Sequence, residues 1–207
     1  MGSPGAMSAR KKPSSISCGS QGASGRPGSH AAIVARFIAE WRDNAAREHR
    51  YFARFPTLAA AIEVAALSEY PRGKRHPHQC RIPQRVLQTA RRRLLSAESA
   101  IRTAADFEEL HDLLHGIIGG VPGIGALTVY DIATRIGAHL GLEPKYVFVH
   151  SGVRVGARAV GHVGRPRLAL DELPRPFRRL SPGEAEDCLC IFKADLKVLS
   201  ATNAVRG

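Results

Sequence analysis

The chain has 207 residues, 44% of them apolar and 23% charged, with a formal net charge of +12. That balance suits one compact domain, alone or with a tail, and excludes wholesale disorder. No apolar run approaches the ~20 residues that span a bilayer. The cysteines Cys18, Cys80, Cys188 and Cys190 are too few and too unevenly spaced for a disulfide scaffold, a paired zinc site or a four-cysteine iron–sulfur run, so a reducing cytoplasm is the expected location.

Residues 1–28 carry Ser, Gly, Lys, Arg and Pro with almost no large apolar side chain. They are expected to form a flexible basic tail, its first six residues reading as a cloning scar ahead of Met7, and they lack the apolar stretch of a signal peptide. Residues 29–207 are expected to form a single all-α domain. Ala32, Ile33, Phe37, Ile38 and Trp41 recur at helical spacing and stop near the charged run Arg42–Arg50. Thr57 suits the N-cap of a helix over Leu58–Leu67, ended by Tyr70-Pro71. Pro83 opens a helix through Val86, Leu87, Leu94 and Leu95. Phe107, Leu110, Leu113, Leu114 and Ile117 define the next, which Gly119-Gly120 breaks. Further helices are expected over 126–140, around 151–160, and over 182–199 after Ser181-Pro182. Only Tyr146–Val149 is rich in strand-forming residues.

The charge is the first clue to a partner. Of the basic residues, 24 are Arg and 6 are Lys. Arginine grips phosphate through two parallel hydrogen bonds and stacks on bases, so a sequence pI near 10.3 favours double-stranded DNA, held mainly by its backbone. A genome rich in Arg codons is the competing cause. Between Glu69 and Glu98 there is no acidic residue, while Arg72, Lys74, Arg75, Arg81, Arg85, Arg91, Arg92 and Arg93 fall in that interval. Like charges so concentrated repel one another in a fold, which favours phosphate or base contact by Arg72, Lys74, Arg75, His76, His78, Arg91 and Arg92. His76-x-His78 is half of a metal site, but no further ligands are spaced in sequence to complete it; neither a metal nor a cofactor is expected.

After Gly119-Gly120 the chain reads Val121-Pro122-Gly123-Ile124-Gly125-Ala126-Leu127-Thr128-Val129-Tyr130-Asp131. Glycines permit a tight turn and close approach of backbone to phosphate. The helix that follows aims unpaired N–H groups and its positive dipole end at the same place. Such a contact reads backbone rather than base. An ordinary turn between packed helices gives the same pattern without a ligand.

This segment resembles the helix–hairpin–helix element, and with the surrounding helices it is similar to helix–hairpin–helix DNA glycosylases over roughly residues 105–165. The resemblance implies phosphate contact by Gly120, Val121, Gly123, Gly125, Ala126 and Thr128. In the family an apolar-Asp-Thr/Ser-apolar segment follows at about the distance of Val149-His150-Ser151-Gly152-Val153, which extends the implied DNA contact to Ser151 and Arg154. The chain departs from the pattern in three ways. His150 stands where the family has its catalytic aspartate, Leu127 stands where lyase-competent members have lysine, and the carboxy-terminal iron–sulfur cysteines are absent.

Excising a base requires a group that stabilises the cationic sugar in a pocket for a flipped nucleotide. Asp131 is the first candidate: it lies one helical turn past Leu127 on the same face, among apolar neighbours. Its competing role is an exposed ion pair with Arg135. His150 is second, as a proton donor to the leaving base or a holder of water, against a purely structural histidine. Lys145 offers an amine for Schiff-base chemistry if desolvated, against a solvated lysine in a Glu-Pro-Lys turn. Trp41, Tyr51, Phe52 and Phe55 read as core aromatics, with stacking on an extruded base as the other role. Ser181–Asp187 reads as a capped acidic helix start in which Glu186 and Asp187 complement the dipole or act on substrate.

The resemblance thus implies a monomeric DNA glycosylase that leaves an abasic site. The target would be a damaged or modified base, in a specialised version a hypermodified base of phage DNA attacked in antiviral defence. A non-catalytic helix–hairpin–helix DNA-binding module is the alternative. A nuclease ranks third, because no acidic cluster suited to magnesium is visible in the sequence.

Overall fold

The structure, a computed structural model, describes residues 28–69 and 75–206. Residues 1–27 of the expected tail, Tyr70-Pro71, Arg72 and Lys74 lie outside these. Helices dominate. The first, α1 (His30–Glu40), starts at Ser29, whose hydroxyl accepts from the Ala32 N–H, and buries Ile33, Val34 and Phe37 at helical spacing. The Arg42–Arg50 run does not end the helical segment. After Trp41 the chain forms α2 (Arg42–Ala53), whose one fully buried residue is Phe52. A count of large apolar residues misses this helix, because Phe52 is its one fully buried residue and polar contacts hold much of its inner face. Arg42 donates to the Glu184 carboxylate at 2.6 and 2.9 Å, and Glu48 accepts from Arg135 Nε at 3.1 Å.

Thr57 caps α3 (Leu58–Leu67) as expected, its hydroxyl accepting from the Ala60 N–H. Next come α4 (Gln84–Ser96), the short α5 (Glu98–Arg102), α6 (Phe107–Ile118) capped by Asp106, and α7 (Ala126–Leu140). Their apolar stripes meet Phe52 in one core that includes Ile62, Leu87, Leu94, Leu114, Ile132 and Ile136. Each such fully buried side chain stabilises the fold by about 1.5–3 kcal/mol.

A second core joins α1 to α8 (Arg154–Ala159), α9 (Pro182–Ile191) and α10 (Lys193–Arg206) around Phe37, Ala157, Phe177, Leu189 and Leu196. The helix expected over 182–199 is two helices, because the backbone leaves helical geometry at Phe192 (φ −95°, ψ 18°). Helix α8 presses against α9 at Gly156, where a Cβ would lie 2.2 Å from the Leu189 carbonyl oxygen. The β-rich segment forms β1 (Val147–Phe148), paired antiparallel with β2 (Arg167–Leu168), Val147 opposite Leu168. Successive strand residues point to opposite faces, and the two cores share this strand: Val147 enters the second and Phe148 the first. Among the described residues, no helix is long and apolar enough to cross a membrane.

Candidate active site

Helix α7 buries Val129, Ile132, Ala133 and Ile136 in the first core. Tyr130, Asp131, Thr134, Arg135 and Ala138, at helical spacing, form a second stripe along it. That stripe, the inner face of α2, the first turn of α9 and the 3₁₀ turn Pro77–Gln79 enclose a cavity of about 500 Å³. Known small-molecule sites span ~300–1,000 Å³. Six acidic residues line it: Glu48 from α2, Asp131 from α7, Glu143 just after α7, and Glu184, Glu186 and Asp187 from α9. The acidic cluster that local sequence lacks is therefore assembled by the fold.

The Asp131 side chain is 14% exposed and its Oδ2 lies 3.7 Å from His78 Nδ1. Gln79, fully buried, donates to the same oxygen through Nε2. Arg135 is not its exposed partner. That guanidinium is buried, donates to Glu48 and to the Ser68 hydroxyl at 3.3 Å, and lies over the Phe52 ring. Burial works against ionising both Glu48 and Asp131, but hydrogen bonds and the charge of Arg135 outweigh it. His76 and Arg135 hold Glu48 well below the usual carboxylate range, and His78 and Arg135 lower Asp131. Glu186 and Asp187 go the other way. Burial first, then the charge of Asp131, pushes Glu186 up to about 8; burial and the charge of Glu186 raise Asp187 well above its usual range. The cavity thus holds ionised and protonated carboxyls together at neutral pH, the separation that acid–base sites use.

His150 is buried beneath this wall with Nε2 2.6 Å from Glu186 Oε1. Burial lowers it to about 4, so the imidazole is neutral. It is absent from the cavity lining and acts on Glu186 rather than on the cavity. Lys145 lies outside the lining too: its exposed ammonium pairs with Asp106 at 2.9 Å.

The segment between α6 and α7 is a tight turn. Ile124 N–H donates to the Val121 carbonyl at 2.9 Å across Pro122 and Gly123, and Gly123 adopts φ +98°, a conformation natural to glycine. Val121 and Ile124 are buried and anchor the turn, while Gly120, Gly123, Gly125 and Ala126 are exposed. Gly125 is the N-cap of α7 and offers no side chain, so the first N–H groups of that helix have no side-chain cap. Thr128 is buried one turn further on. Val86 approaches Gly123 closely enough to touch a Cβ there at 3.4 Å, which sets the start of α4, with exposed Arg85, beside the turn.

The rest of the expected basic surface divides. Arg92 is exposed, whereas Arg91 is half-buried and bound to Glu63. Arg75 donates to the Ile82 carbonyl at 2.7 Å and to the Gln84 side chain at the start of α4. Ser151 and Arg154 are exposed at the start of α8. His76 and His78 face Glu48 and Asp131 at the cavity instead of standing on an open phosphate-binding loop. Glu48 is a cavity residue that sequence reasoning missed, and Arg135 entered it only as an exposed partner of Asp131. Arg135 alone left a trace, as a charge inside the apolar run of α7.

Comparison with known proteins gives no matching family model, no matching curated protein and no matching solved structure.

Proposed function

We propose that the protein is a DNA N-glycosylase. It holds a duplex by backbone contacts at the 119–126 turn, receives an extruded nucleotide in the cavity, and hydrolyses the bond between base and sugar to leave an abasic site. The observation that carries this reading is the position of Asp131. It lies five residues past Ala126 on α7, about 7–8 Å along the axis, inside a cavity lined by carboxyls of both protonation states. A phosphate at the helix start and a sugar at Asp131 are then neighbours on one strand.

The ionised Asp131 stabilises the positive charge that develops on the sugar and aligns a water. Asp187 and Glu186, protonated at neutral pH, supply the proton that the departing base requires. Lys145, tied to Asp106 outside the cavity, takes no part, so the product is a simple abasic site.

The test is a single-turnover abasic-site assay on a panel of duplexes with normal, damaged and phage-type hypermodified bases, run beside a binding titration. Asp131→Asn should lower the excision rate by at least about 10²–10³-fold, with DNA affinity unchanged or higher because one negative charge is gone. Wild-type activity in Asp131→Asn removes the residue from the chemistry. A protein that binds every duplex and excises nothing is a DNA-binding module instead.

A further inference from the structure

We infer that His76, His78 and Asp131 form a binding site for a divalent first-row transition-metal ion of the zinc, iron(II) or manganese(II) class, at the wall of the cavity. One ligand atom from each lies within 4.8 Å of the others. Two donors on a common ion at about 2.1 Å each stand no more than about 4.2 Å apart, so the set closes with side-chain shifts of about an ångström.

Sequence spacing alone leaves His76-x-His78 without a third ligand. The fold brings one from 53 positions beyond His78, on a different element. Two imidazoles and one carboxylate match the donor preference of this metal class, whereas magnesium and calcium prefer all-oxygen shells.

The surroundings are those of a metal site. Gln79 fixes one oxygen of Asp131, and its own Oε1 is buried with no hydrogen-bond partner. Such outer contacts orient ligating carboxylates. Glu48 has Oε2 3.6 Å from His76 Nε2 and shares its charge with Arg135. We therefore place it as the carboxylate that orients His76, outside the ligand set; the ligand atom is then His76 Nδ1, and the ion replaces the long contact of 3.4 Å that this nitrogen accepts from the His78 N–H. Asp131 supplies one negative charge directly to the ion, and Glu48, itself paired with Arg135, supplies part of a second.

Three protein ligands leave coordination positions open, and those positions face the cavity. That is the arrangement of catalytic rather than structural sites, in which a water or a substrate oxygen completes the shell. With an ion in place Asp131 would act as its ligand and not directly on the sugar, and the open position would hold that oxygen next to the carboxyls of α9.

Metal binding is measured on the full chain without DNA. After chelation and buffer exchange, the protein is titrated with zinc, manganese(II) or anaerobic iron(II), with cobalt(II) as a visible-absorption probe and magnesium for comparison. One transition-metal ion per chain is expected, with cobalt spectra showing nitrogen and oxygen ligation. His78→Ala and Asp131→Asn should each weaken binding by at least about 100-fold, and His115→Ala, on an exposed face of α6, should leave it unchanged. His78 is itself solvent-facing, so its variant tests the site without disturbing the core; circular dichroism of each apo variant verifies the fold. Failure to take up an ion stoichiometrically, or equal affinity in His78→Ala, overturns the site. An active enzyme that binds no ion would discard the metal and leave glycosidic hydrolysis standing. An ion-binding protein that makes no abasic sites would do the reverse.

Discussion

Asp131 and Arg135 are four residues apart on a helix, a spacing that on an exposed face makes an ion pair. Here both turn inward. Arg135 goes to Glu48 and Ser68, while Asp131 meets Gln79 and His78. All these partners come from distant segments, which is why sequence singled out Asp131 but could not supply its surroundings. The same holds for Glu186, which sequence reads mainly as a complement to the helix dipole and which the fold buries against His150. This pair makes stability depend on pH. Burial raises Glu186 from 4.5 to about 8, so its contribution is full below 4.5 and is lost as pH rises towards 8. Burial lowers His150 from 6.5 to about 4, so its contribution is full above 6.5 and is lost as pH falls towards 4. Between 4.5 and 6.5 the two slopes oppose each other; above 6.5 only the carboxyl acts, and Asp187 adds to it in the same direction. Stability should therefore decline as pH rises from 6.5 towards 8. Glu186→Gln keeps the shape and the hydrogen bond to His150 without the charge, and should make that decline shallower in urea titrations. An unchanged slope would show that Glu186 ionises freely in the folded chain.

Helices with an apolar stripe were legible: α3, α4, α6 and α7 lie where spacing and capping residues put them. Helix α2 was not, because it packs through Arg42, Glu48 and Phe52 and builds a cavity wall in place of core. At the turn between α6 and α7 the two glycines of the motif have separate jobs. Gly123 needs its positive φ, and any side chain there incurs about 1–2 kcal/mol of strain besides its contact with Val86. Gly125 has φ −103° and open space around a Cβ. Gly123→Val should therefore lower both melting temperature and DNA affinity. Gly125→Val, which has room for its side chain but is a poorer N-cap than glycine, should lower the melting temperature less than Gly123→Val and weaken DNA binding by occupying the space in front of the α7 N–H groups. Equal DNA affinity in Gly125→Val would mean that phosphate does not sit at this helix start.

Over the whole molecule the charge of +12 is unevenly distributed. Six acidic residues share the cavity lining with Arg42, Arg50 and Arg135, and exposed Arg85 stands beside the turn. DNA affinity that comes from such a surface falls steeply with salt, since each neutralised phosphate releases counterions. The sequence treats the arginines of residues 72–93 as equivalent, but the structure separates them. Arg85 and Arg92 are exposed, and Arg85 begins the helix that touches Gly123. Arg91 is bound to Glu63 across α3 and α4 and accompanied by Gln88. An arginine already paired must break that pair to reach phosphate, so its net contribution to binding is small. Arg85→Ala and Arg92→Ala should each weaken binding uniformly across duplex sequences, and each should lower the slope of log affinity against log salt by about 1. The double variant should lower it by about 2, because the two side chains sit on separate turns of the helix and act independently. Arg91→Ala should leave the slope unchanged and lower the melting temperature slightly through loss of the contact with Glu63. The measurement is a set of binding isotherms at several salt concentrations on two duplexes of unrelated sequence. A flat salt dependence in the wild type would remove this face from DNA binding. A larger change for Arg91→Ala than for Arg92→Ala would show that the pair with Glu63 opens when the duplex docks.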